Sequence, residues 1–169
     1  MPMISEADRI AEFKNLMDFL LIIDAPAKIM TKEADPYLLV ALPTIDDMWE
    51  PQEMTEDGHF AFLRIEQLFG KNTKYLVFET RIRFDCHGAP AEQKLLNVVN
   101  EINSKIMIGS LSVIREGSAA VVQYRYALGT TAGENFPEAS VCEAILEMGR
   151  TYDCIKASGM RVNRLCCAV

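Results

Sequence analysis

Residues 94 to 128, KLLNVVNEINSKIMIGSLSVIREGSAAVVQYRYAL, constrain this chain more than any other stretch. Apolar residues first recur with a period of about 3.6, as on one face of a helix, and then with a period of two, as on one face of a strand. Leu95, Val98, Val99, Ile102 and Ile106 form the helical stripe, which predicts a helix over 91–105. The alternation that follows predicts strands at 110–115 and 119–128, turned at Glu116-Gly117. Val122, Tyr124, Tyr126 and Leu128 then share one face, and Gln123 and Arg125 the other. Neither half is stable alone. Packed together they make one core layer, in which each buried Leu, Val, Ile or Tyr contributes roughly 1.5–3 kcal/mol.

The rest of the chain extends this pattern. Ser5 and Asp8 make a short capping box, and Ile10, Phe13, Met17, Leu20 and Leu21 fall on one side of a helix over 6–23 that stops near Pro26. Strands are expected at 28–31, 37–42, 60–66 and 75–84. In the last, Leu76, Phe78, Ile82 and Phe84 point one way and Glu79, Arg81 and Arg83 the other. Gly129 to Gly133 reads as a loop. Pro137 opens a third helix, 137–157, with Val141, Ala144, Ile145, Met148, Tyr152 and Ile155 as its stripe and Gly159 as its stop. The expected fold is α+β: a single antiparallel β-sheet with helices packed on one face, forming one domain over 1–160, with 161–169 as a flexible C-terminal tail.

Bulk properties narrow the function. The chain has 169 residues and a formal net charge of −7, which argues against nucleic-acid and membrane-surface binding. The N-terminus lacks the basic flank and apolar run of a signal peptide, and five cysteines without a CxxC pair suit a reducing cytoplasm. Phosphate-binding glycine loops, a nucleophile elbow and a zinc-protease motif are all missing, so no enzyme activity and no cofactor is expected. Asp85, Cys86 and His87 carry ligand-type atoms but lack the spacing of a zinc site, and His59 reads as a turn residue. Cys166-Cys167-Ala168-Val169 is formally a prenylation box with an unusual final residue, and a vicinal thiol pair in a tail is the simpler reading. Asn97, Asn100 and Asn103 recur on the second helix. Asn103 lies at the border of the apolar stripe, where it predicts a hydrogen bond to a loop backbone.

The helix ending in LLNVVNEIN, the strand opening at Gly109-Ser110, the glycine-containing turn, the second strand and the long final helix together resemble the YbjN-like proteins, of the type III secretion chaperone-like fold. The resemblance covers residues 91–155, and the N-terminal helix and run of strands are compatible with it. It implies a small bacterial α+β protein with a regulatory role, whose structural relatives bind effector polypeptides as dimers, without ATP. The acidic segment Thr44 to Asp57, with Trp49 inside it, stands outside the family pattern.

The expected function is therefore a non-enzymatic, cytoplasmic protein-binding domain, chaperone-like or regulatory, with a homodimer as one form of association. The candidate contact residues are Trp49, Tyr75, Arg81, Arg83 and Arg125, since Trp, Tyr and Arg are enriched at interface hot spots. The alternative is a regulator that binds a small molecule or anion on the arginine-bearing sheet face. Against both stands the ordinary behaviour of such a face, in which arginines pair across strands with acids such as Glu79.

Overall fold

A computed structural model describes residues 4–31, 35–43, 60–68, 70–84, 88–117 and 119–158. Trp49, His59, the Asp85–His87 trio, Gly159, the acidic segment and the 161–169 tail with Cys166 and Cys167 lie outside the described residues.

The chain runs through α1 (Glu6–Ile22), β1 (Ala27–Met30), β2 (Tyr37–Ala41), β3 (Phe60–Gln67), β4 (Thr73–Phe84), α2 (Ala89–Asn103), β5 (Ser110–Glu116), β6 (Ala119–Thr131) and α3 (Glu138–Ala157). The strands form one antiparallel sheet in the order β1-β2-β3-β4-β6-β5. The helices pack on one face of it, α1 over β1, α2 over β5, and α3 between the two helices and against β6. Among the described residues no helix is long and apolar enough to cross a membrane.

Strand alternation builds the core. Leu38 and Val40, Ala61, Leu63 and Ile65, Leu76, Phe78, Ile82 and Phe84, and Val122 and Tyr124 turn inward and are buried. The α3 stripe, Val141, Ala144, Ile145, Met148, Tyr152 and Ile155, is buried in full. Leu95, Val99 and Ile102 of α2 face the same interior, with Val98 and Ile106 packed at its margin.

Three expectations need correction. On α1 the buried line is Phe13, Leu16 and Leu20, whereas Leu21 is 54 % exposed. The near-continuous apolar run there left the helix phase open, and steps of three and four residues from Phe13 settle it. Gly129 to Thr131 are not loop: β6 runs on through them because Tyr75, Lys74 and Thr73 supply partners for all three. Pro137 precedes the helix, and its carbonyl accepts the Val141 N–H at 3.1 Å.

Local chemistry holds the joints. Ser5 Oγ accepts the Asp8 N–H while the Asp8 carboxylate takes the Ser5 N–H, completing the capping box. Asn103 does hydrogen-bond backbone: its Nδ2 donates to the Leu111 carbonyl at 3.0 Å, and its Oδ1 accepts the Leu111 N–H at 2.8 Å. The connection between them turns at Gly109, with φ +78°, where a Cβ would stand 2.6 Å from the Tyr124 ring. The buried Tyr124 hydroxyl donates to the Ile108 carbonyl, and burial pushes its ionisation far above the ordinary phenol range.

Candidate functional site

Two places bring chemistry together. The first is the outer face of the sheet, the one the helices leave alone. Odd-numbered residues of β4 and β6 face this side, so Tyr75, Arg81, Arg83 and Arg125 share it, as the sequence implied. Tyr75 lies across Gly129, whose added Cβ would be 3.2 Å from its ring. Arg64 of β3 joins them and was not anticipated.

These cations are tied into a ladder. Glu79 accepts from Arg81 Nε at 2.7 Å and from Arg64 Nη2 at 3.2 Å. Glu116 reaches across β6 to Arg83 Nη2 at 2.7 Å and lies 3.7 Å from Arg81 Nη1. Glu79 is the hub, its side chain only 9 % exposed although it sits on the outer face. Each arginine is about half exposed, and single pairs of that kind contribute only about 0–1 kcal/mol, so the ladder mainly sets orientation. Arg125 has no ion-pair partner among the described residues, although Glu79 is its neighbour in register. Further along the face, the Tyr37 and Phe62 rings meet tilted, 5.8 Å between centroids and 45° between planes, beside the half-buried Leu39.

The second place is a cleft of about 430 Å³ at the Thr73 end of the sheet, on the helix side. Its floor is an ion pair. Lys74 Nζ donates to Glu12 Oε1 at 2.8 Å and Oε2 at 2.6 Å, with side chains 5 % and 8 % exposed. The same ammonium stands 5.0 Å from the centroid of the Phe136 ring, and the Phe136 N–H donates to Glu12 Oε1 at 3.3 Å. Thus α1, β4 and the approach to α3 meet on two charges. Asp8, Asn15, Asn72 and Asn135 form a polar rim. Gln67 closes one side, taking the Ile4 N–H at 2.8 Å and donating to the Lys71 carbonyl at 3.3 Å.

Sequence reasoning missed this cleft, although a signal was present. Glu12 lies four and eight residues before Leu16 and Leu20, in line with the buried stripe, and Lys74 opens the inward series Lys74, Leu76, Phe78. A charge on each of two apolar faces calls for a partner. Of the cysteines, Cys142 donates to the Phe19 carbonyl at 3.8 Å and burial raises its thiol, while Cys154 is exposed. Among the described residues no group of three or more His, Cys, Asp and Glu side chains is placed to hold a metal ion. No family model matches the chain, and no curated protein matches it at a significant level.

Proposed function

We propose that the chain is a non-enzymatic protein-binding domain, chaperone-like or regulatory, that works in a bacterial cytoplasm and receives an acidic, amphipathic segment of a partner on its outer sheet face. One observation carries the reading. On that face Lys28, Arg64, Arg81, Arg83 and Arg125 face Glu66, Glu79 and Glu116, an excess of positive charge on a chain whose net charge is −7. Tyr37, Leu39, Phe62 and Tyr75 add partly exposed apolar surface to it. A partner that buries aromatic surface and offers carboxylates meets both features. The resemblance of residues 91–155 to the YbjN-like proteins and the type III secretion chaperone-like fold supports the same reading, and with it a homodimer as the binding form.

The ladder weighs against a small anion as the occupant, because Glu79 and Glu116 already share Arg64, Arg81 and Arg83 and leave Arg125 as the arginine without an ion pair among the described residues, one cation where a small-anion site gathers several. It also selects the probe. Reversing Arg81 or Arg83 would set like charges against Glu79 and Glu116, so a loss of binding would be confounded with a loss of fold. Arg125 is in no ion pair among the described residues, but it stands opposite Glu79, so it is neutralised rather than reversed.

The test is site-specific photo-crosslinking in bacterial cells, with the crosslinker at Tyr75 or Arg125 and, as control, at the exposed Glu143 of α3. The expected result is capture of acidic segments from the two sheet positions, lowered at least tenfold by Arg125→Ala when the crosslinker is at Tyr75. Capture from Glu143 alone, or capture indifferent to Arg125→Ala, overturns the proposal.

A further inference from the structure

The cleft over the Glu12–Lys74 pair offers a different kind of recognition, independent of the outer sheet face. Its chemistry follows from counting donors and acceptors. Lys74 has three N–H groups: two go to the two oxygens of Glu12, and the Phe136 ring lies near the third. Gln67 is spent at both ends, on the Ile4 N–H and the Lys71 carbonyl. The donors at the floor are therefore used.

Acceptors are not. Glu12 Oε2 takes only Lys74 among the described residues, so one lone pair stays free. Ser5 sends both its N–H and its hydroxyl to the same oxygen of Asp8, Oδ2, and leaves Oδ1 without a donor among the described residues. Asp8 and Glu12 are four residues apart on one helix and so present their carboxylates on one side of it, about 5–6 Å apart at Cβ. The carboxamides of Asn15, Asn72 and Asn135, each able to accept or to donate, line the same space. With Lys74 neutralised by Glu12, the lining carries one net negative charge, that of Asp8. The Ser5 hydroxyl holds the Asp8 carboxyl below the ordinary carboxylate range, which keeps it ionised.

A volume of about 430 Å³ lies within the roughly 300–1,000 Å³ range of small-molecule sites. Burying two charges at the bottom of a cleft is costly, and a well-packed apolar pair would hold the same elements together at least as well. From the surplus of acceptors, the single net negative charge and the volume, we infer that this cleft binds a small organic cation rich in N–H donors, a primary amine or guanidine. One donor goes to Asp8 Oδ1, another to the free side of Glu12 Oε2, and the remainder meet the carboxamide rim. A dicarboxylate finds no free donor at the floor, and a neutral polyol gains nothing from the charge.

The experiment is an amide-resolved NMR titration of the whole chain with 1,4-diaminobutane, with succinate and glycerol as matched controls at constant ionic strength. Saturable shifts of the Ala11, Asn72 and Gly133 amides with the diamine alone are expected. Asp8→Asn should weaken binding at least tenfold, while Asn135→Asp, a change on the exposed rim that adds a carboxylate, should tighten it severalfold. The proposal is overturned if the diamine gives no saturable shift, if succinate or glycerol binds as well, or if Asn135→Asp leaves the affinity unchanged in a folded protein.

Discussion

Asn103 gives both ends of its carboxamide to one backbone unit, that of Leu111, and thereby fixes the exit of α2 against the start of β5. Removing it leaves an N–H and a carbonyl to find other partners. Asn103→Ala is expected to cost about 1–3 kcal/mol, measured by urea unfolding. Asn103→Asp should cost more, because a carboxylate oxygen then faces the Leu111 carbonyl. The position at the edge of an apolar stripe made this bond legible in the sequence. The Glu12–Lys74 pair was not read, since each charge is unremarkable until alternation and helix phase are applied to both at once. Here the expected energetics are asymmetric. Glu12→Gln or Lys74→Met alone should cost about 3–5 kcal/mol by stranding a buried charge, whereas the double change Glu12→Leu/Lys74→Met should recover most of it. Equal losses in single and double variants would show that the pair contributes packing rather than charge.

Whole elements were legible wherever the signal is local. The six-residue stripe of α3 and the alternation of β4 are written in the spacing of side chains, and both are buried as that spacing requires. What local spacing does not contain is the partner. The length of β6 depends on Thr73 to Tyr75, more than fifty residues away, and the ladder depends on Arg64 and Glu116 arriving from two other strands. A similar dependence makes Gly149 informative. It sits in the middle of α3, where Gly→Ala normally stabilises a helix by about 0.8–1.0 kcal/mol. A Cβ there would meet the Pro43 carbonyl oxygen at 2.3 Å. Gly149→Ala is therefore expected to lower the melting temperature, and a rise would show that α3 and the segment after β2 do not touch so closely. The start of α1 should respond to acid. Asp8 ionises below its ordinary range when folded, so its contribution is present above the unfolded value and is lost as pH falls through the folded one. Protection of the Asp8 and Arg9 amides, taken relative to their intrinsic exchange rates, should fall in that acid range before protection in α3 does.

At the scale of the molecule, charge is distributed by face. The sheet's outer side holds an excess of cations, so the rest of a chain with net charge −7 is more acidic still. Association steered by such a field is expected to slow as salt rises, because the screening length falls from about 10 Å at 0.1 M to about 3 Å at 1 M. Stopped-flow mixing with a captured acidic segment should show the association rate falling with ionic strength and the dissociation rate changing little. The fold class was readable from the order of periods, while the cleft arises only when α1, β4 and the chain before α3 close on one another. The Asn103–Leu111 pairing has one more consequence, which concerns crowded solutions. β5 is the last strand of the sheet, and such borders invite a neighbouring molecule to add its own strand and begin a fibre. The carboxamide already occupies the first outward-facing rung. By alternation only Val113 and Arg115 are left to offer theirs, and Arg115 is clamped to Glu92 of α2. A strand adding at this edge, one of the sheet's two, finds fewer rungs than a bare edge would offer. The side chain that locks a turn thus also guards one border of the sheet, and Asn103→Ala protein is expected to form thioflavin-positive aggregates at concentrations where the parent stays clear.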